Sequence, residues 1–129
     1  MIVIESSAMV NALVGAPANP GLLALLADEE LHAPALLDFE VASALRGHAL
    51  GGKLDPVRLE EAVEDFIAFR IERHPMTRLL GHLLDLRDNF TAYDAAYVVL
   101  AQALDSPVVS ADAKLREAAR LGVDVRVFE

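Results

Sequence analysis

The chain has 129 residues, 54% of them apolar, with seven Gly, six Pro, no Cys and a formal charge of −9 at pH 7. That length and composition predict one domain, residues 1–129, around one buried core, and exclude a disordered chain, a disulfide framework and a thiolate metal site. The net charge excludes broad backbone-driven nucleic-acid binding, which needs cationic surface, but not a nuclease whose clustered acids are offset by a metal.

In chain order, Ile2–Ile4 reads as a short buried strand, and the run after Ser6 and Ser7 as a helix ending near Gly15. "NPGLLALLADEE" is a second helix with Pro20 at its start. The uncharged stretch Ser6 to Ala27 has the length of a membrane span, but Asn11, Pro17, Asn19, Pro20 and two glycines break it into two helices. No Lys or Arg precedes Arg46, so the basic region of a signal peptide is missing, and the reading is a cytoplasmic protein with no membrane association. "LHA" is a short strand, after which Pro34 opens the helix "ALLDFEVASALRGHAL", stopped at Gly51-Gly52. "DPVRLEEAVEDFIAF" is a helix with Asp55 as N-cap, "RIERHP" a strand candidate, and "MTRLLGHLLDLRD" a helix. "TAYDAAYVVLAQALD" is a helix capped by Thr91. "SPVVSAD" carries a buried strand, "AKLREAARLG" a helix and "VDVRVFE" a closing edge strand. Alternation of this kind predicts an α/β fold, a parallel sheet with helices on both faces.

Four carboxylates interrupt this pattern. Glu5 sits at the seam between the first strand and the first helix, where it serves either the helix start or a ligand at a strand end. Asp94 lies on a helix that is apolar almost all round, on the stripe of Tyr97, Val98 and Ala101; it caps that helix, pairs with a base, or holds a cation. Glu40 shares a stripe with Leu37, Val41 and Ala44, and periodicity alone does not choose between it and Asp38. Ser110 and Asp112 close a β-branched strand just before a helix, the pattern of an N-cap and equally of a second acidic strand end. Parallel strands bring such ends to one edge, and several carboxylates placed together repel unless a cation sits among them. Oxygen-only donors select a hard ion, Mg²⁺ or Mn²⁺, which can activate water for attack on a phosphodiester. The four His (His32, His48, His74, His82) fit no zinc spacing and are given no ligand role. No glycine-rich phosphate loop is present, and Ser6, Ser7 and Ser110 have no adjacent His to make a nucleophile of them. Seven of the eleven basic residues fall between Arg46 and Arg87, as a local basic face or as solvated helix sides.

The segments "VIESSAMV", "APALLDFEVASALR", "TAYDAAYVVLAQAL" and "PVVSADAKL" together resemble the PIN domain, in the form of the VapC toxins of bacterial VapBC toxin–antitoxin pairs. The resemblance implies a PIN-like α/β/α sandwich and an Mg²⁺-dependent endoribonuclease, a toxin that forms a homodimer and whose groove a cognate antitoxin covers. By matching motif, Glu5, Glu40, Asp94 and Asp112 take the places of the family's four acids, with Glu5 and Asp94 as the metal ligands. Ser7 and Ser110 fall where the family keeps small hydroxyls. The first acid is ordinarily Asp, and here it is Glu5. This departure raises an alternative, a PIN-fold binding module with weakened catalysis that mainly engages an antitoxin. A receiver-like phosphoacceptor would need an acidic pair at the first strand, which "ESS" lacks.

Overall fold

The computed structural model describes residues 1–129. In order they form β1 (Ile2–Ile4), α1 (Ser6–Val14), α2 (Pro20–Asp28), β2 (Leu31–Pro34), α3 (Leu37–Leu50), α4 (Pro56–Ala68), β3 (Ile71–His74), a 3₁₀ turn (Thr77–Leu79), α5 (Leu80–Asp85), α6 (Ala92–Leu104), β4 (Val108–Ser110), a 3₁₀ segment (Ala113–Leu121) and β5 (Val125–Val127). All strand pairs are parallel, in the order β3-β2-β1-β4-β5. The central strand β1 is buried along its whole length, as a parallel strand covered on both faces must be.

Alternation along the strands assigns the two faces. Ile2, Ile4, Leu31, Ala33 and Val109 pack with Met9 and Leu13 of α1, Leu22 and Leu26 of α2, Leu37 and Val41 of α3 and Phe66 of α4. Val3 and Val108 point the other way, onto Tyr97, Val98 and Ala101 of α6 and onto Leu115 and Ala118. Helix α5 adds Leu83 against Ala95, Ala96 and Val99 of α6. The result is the predicted α/β/α sandwich, with α1–α4 on one face and α5, α6 and the late 3₁₀ segment on the other. No helix is long and apolar enough to cross a membrane.

Local chemistry places the helix ends. The Asn19 side chain accepts from the backbone N–H groups of Gly21 and Leu22, and the Asp55 carboxylate from that of Arg58, each just before a proline in the first helical turn. Three boundaries differ from expectation. Pro34 belongs to β2, because the chain stays on the sheet until Ala35 N–H reaches His74 O at 2.9 Å, and α3 begins only at Leu37. The helix expected over "MTRLLGHLLDLRD" divides into a 3₁₀ turn and the short α5, neither with a side-chain cap. The segment after Asp112 winds as 3₁₀ rather than α, so its buried Leu115 and Ala118, three residues apart, line up on one edge.

Two glycines give opposite expectations. A Cβ at Gly15 would lie 2.5 Å from Asn11 O and 2.9 Å from the Ala18 Cα, both backbone atoms, whereas one at Gly47 in α3 meets nothing within 4 Å. Gly15→Ala should therefore destabilise the fold by about 1–3 kcal/mol. Gly47→Ala should stabilise it by about 0.5–1 kcal/mol through helix propensity. Urea midpoints at constant m-value measure both.

Candidate active site

The C-terminal ends of β1 and β4 lie side by side, with Val3 opposite Val108 and Ile4 opposite Val109. The residue after β1 is Glu5, 3% exposed. A carboxylate so buried needs donors on its oxygens, and four converge on it. Ser6 Oγ donates to Oε1 at 2.9 Å. Oε2 accepts from Ser7 N–H at 3.1 Å, from the Ser7 hydroxyl and, across the strand pair, from Ser110 Oγ at 2.9 Å. Glu5 is thus the N-cap of α1 and also a fixed negative charge at the strand edge. Three of its four contacts fall on Oε2, which leaves acceptor capacity on Oε1. Ser7 and Ser110 lie 3.1 Å apart, and Ser7 Oγ also accepts from Ala111 N–H at 2.9 Å, so the two hydroxyls tie the β1 and β4 ends together.

Past Ser110 the chain turns, and Asp112 N–H donates to Ser110 Oγ at 3.0 Å. Asp112 caps the next segment, accepting from Lys114 N–H at 3.0 Å, as an N-cap should. Its other oxygen faces the Lys114 ammonium at 3.7 Å, and the same ammonium lies 3.4 Å from Asp94. Asp94 stands in the first turn of α6, where Thr91 already caps its backbone N–H at 3.1 Å; the Asp94 carboxylate is left free for Lys114. Partial burial works to lower the Lys114 pKa, but the charges of Asp94, Glu5 and Asp112 outweigh it and hold the group above its ordinary value. The chain's own ammonium thus occupies a point where three acids draw positive charge, and the donors around it are oxygens, the chemistry that suits a hard divalent cation.

Glu40 approaches from α3. It accepts from the Tyr97 hydroxyl at 2.6 Å, and Tyr97, on α6, is fully buried. Burial, the bond to Glu40 and the charges of Glu40 and Glu5 push the phenol far above the ordinary tyrosine range, against a smaller opposing effect of Ser6. The structure separates Glu40 from Asp38, because Asp38 turns to the edge of the sheet and takes Arg73 Nε at 2.9 Å. Beside Glu40 lies a cleft of about 500 Å³ lined by Leu36, Phe39, Glu40, Ser43 and Tyr93. Its two aromatic side chains are 79% and 66% exposed.

Two features escaped the reading from sequence. Lys114 carries no local signal, since a lysine early in a polar segment reads as solvated surface. The histidines, given no ligand role, are not all isolated: His32 and His74 meet across β2 and β3, and with Glu72 they form a group whose donor atoms lie within 4.8 Å of one another. The four acids form no group that tight.

A family model described as PIN domain matches residues 2–121. A VapC ribonuclease of Mycobacterium bovis is 37% identical over 118 residues, covering 91% of this chain and 90% of the relative. Ribonuclease VapC1 of Mycobacterium tuberculosis is 35% identical over 127 residues, 97% and 96% of the two chains. Among solved structures, FitAcB from Neisseria gonorrhoeae contains a chain that aligns with a TM-score of 0.63 at 19% identity, over 98% of this chain and 96% of that one, a likeness of fold.

The Tyr97 phenol provides a test of the Glu40 contact. A folded-state pKa raised above the unfolded value of about 10 contributes stability that is present below that pH and lost as pH rises further. Tyr97 should therefore stay protonated in the folded protein and show tyrosinate absorbance only as the native circular dichroism disappears above pH 10. Tyr97→Phe should remove this alkaline step and flatten the fall of stability with pH. Ionisation of Tyr97 within the intact fold would contradict the buried Tyr97–Glu40 pair.

Proposed function

The chain belongs to the PIN-domain family, and from that premise we propose that it is a single-domain, Mg²⁺-dependent endoribonuclease, the toxin of a type II toxin–antitoxin pair. The observation that carries this reading is the Lys114 ammonium drawn toward Asp94, Asp112 and Glu5 at the C-terminal edge of the sheet. The relatives named as VapC ribonucleases support RNA as the substrate.

In this reading Glu5 and Asp94 hold the metal, and Glu40 and Asp112 complete the acidic rim. Mg²⁺, or Mn²⁺ in its place, would supply Lewis-acid charge and a reactive water at neutral pH. The chain's own residues do the positioning. Ser7 and Ser110 keep Glu5 in one orientation, and the Tyr97 hydroxyl does the same for Glu40. Lys114, half-exposed on its flexible stem, gives up Asp94 and turns to the phosphate, where its charge favours the more negative transition state. Phe39 and Tyr93 offer flat faces beside Glu40, and stacking of unpaired bases on such faces contributes about 1–3 kcal/mol per base. An antitoxin would cover the same cleft, with an Arg whose planar fork engages two of the carboxylates. A homodimer fits the exposed Val63 and Ile67, four apart on α4.

The test is cleavage of a mixed RNA pool by protein purified free of any antitoxin. Chelation should abolish cleavage and Mg²⁺ restore it. Asp94→Asn should lower the rate by about 100-fold or more, the scale seen when a group that stabilises the transition state is removed. Asp38→Asn, which only releases Arg73, should leave the rate unchanged. Cleavage that survives Asp94→Asn or resists chelation would overturn the assignment.

Metal binding is read separately from melting temperature, since a ligand at a hundredfold excess over Kd stabilises by about 2.7 kcal/mol. Mg²⁺ should raise the melting temperature of the parent protein, and Asp94→Asn should cancel the rise. Lys114→Met should enlarge it, because the variant no longer places its own cation against the acids.

A further inference from the structure

The second cluster of metal-ligating side chains lies on the outer part of the sheet. Parallel register sets His32 of β2 opposite Glu72 of β3, and Pro34 opposite His74. Alternation then puts His32, Glu72 and His74 on one face, the α6 face, since His32 is also in register with Val3. β3 is an edge strand, bonded only to β2, and none of Glu5, Glu40, Asp94 and Asp112 belongs to the group.

The donor geometry is specific. His32 Nδ1 lies 2.8 Å from His74 Nε2 and 3.5 Å from Glu72 Oε2, and the His32 side chain is only 4% exposed. On the far side of the same ring, Nε2 lies 2.6 Å from Glu30 Oε1. A carboxylate accepts, so it fixes the proton on Nε2 and leaves the Nδ1 lone pair facing His74 and Glu72. A carboxylate behind a histidine, with the other ring nitrogen aimed into a group of donors, is how metal-ligating histidines are oriented and made more basic.

We propose that His32 Nδ1, His74 Nε2 and a Glu72 oxygen form a binding site for a divalent transition-metal ion of the Zn²⁺ class, with Glu30 as the positioning residue behind His32. Two imidazoles and one carboxylate suit Zn²⁺, which takes three protein ligands and a water, and they suit Mg²⁺ poorly. Donors about 2.0–2.1 Å from a tetrahedral ion are about 3.3 Å apart, so the observed 2.8 and 3.5 Å need only small adjustment. Glu72 is exposed and free to make it. The occupied site would fasten the edge strand to β2 through side chains as well as backbone, apart from the acidic site.

The test uses untagged, chelator-treated protein titrated with Co²⁺, whose visible d–d band becomes intense on four-coordinate binding, and then with Zn²⁺. One Co²⁺ per chain should bind with such a band, Zn²⁺ should displace it, and a large excess of Mg²⁺ should not. His74→Ala and Glu72→Gln should each weaken binding by tenfold or more, and Glu30→Gln by about 10- to 100-fold. Asp94→Asn should leave binding unchanged, which separates this site from the acidic one. Glu72 is a surface side chain, so Glu72→Gln stays informative even where His74→Ala lowers stability. Absence of the d–d band, affinity unaltered in both His74→Ala and Glu72→Gln, or loss of binding in Asp94→Asn would each overturn the proposal.

Discussion

Burying the Glu5 carboxylate costs several kcal/mol unless its lost hydration is replaced, and the surrounding structure supplies the replacement. Its donors come from two places: Ser6 and Ser7 open α1, and Ser110 ends β4. The charge can be satisfied only when the ends of β1 and β4 are in register and α1 starts where it does. Ser110 in turn receives Asp112 N–H, so the donor that holds Glu5 also sets the turn that aims Asp112. One buried charge therefore links the sheet register, the first helix and the path of the chain into the acidic rim. Glu5 is one methylene longer than the family's usual Asp. Four donors reach its two oxygens and hold the longer side chain where it stands.

The remaining acids are held by different means, and the differences matter for what each can do. Glu40 is oriented by one strong hydrogen bond from a fully buried phenol, and through Tyr97 its position depends on the packing of α6 against the sheet. Asp112 spends one oxygen on capping. Asp94 spends neither, because Thr91 caps in its place, and it remains the acid most available to a cation. Lys114 is the counter-charge for this arrangement. It keeps the acids from repelling one another, yet lies about half exposed on a long stem and can be displaced.

Much of this was legible in sequence, for reasons that differ by residue. Asp94 and Glu40 stood out because an acid on an apolar stripe is costly wherever that stripe is buried. Glu5 and Asp112 stood out because each follows a strand and precedes a capped segment. The choice between Glu40 and Asp38 was not legible. It is made by Arg73, 35 residues beyond Asp38 and on β3 rather than α3. Lys114 was hidden because only the turn after β4 aims it at Asp94. The path after Asp112 was mistaken for an α-helix, since local spacing alone does not distinguish a 3₁₀ edge carrying Leu115 and Ala118 from an α-helical face. His32 and His74 lie 42 residues apart, a distance no spacing rule covers, and the parallel register of an edge strand brings them together.

The two cation-seeking groups differ in hardness, and that difference keeps them independent. The acidic rim offers only oxygens and already attracts an ammonium, a hard cation, so it suits an ion that retains its waters. The His32–Glu72–His74 group offers two nitrogens, one of them fixed by Glu30, and so suits an ion that binds imidazole. Affinity of a given site rises from Mn²⁺ toward Cu²⁺ and Zn²⁺, so a chain with only the acidic rim would be exposed to capture by the stronger binders. The His32–Glu72–His74 group, with two imidazole nitrogens, is the one whose donors favour those ions. It also lies on β3, an edge strand paired only with β2. The acidic edge is held by buried hydroxyls and a buried phenol, whereas the outer strand is held by the β2 ladder, by Ile71 packed on the core, by Arg73 on Asp38 and by this polar cluster. A metal there would fasten β3 to β2 through His32, Glu72 and His74, apart from the acidic rim.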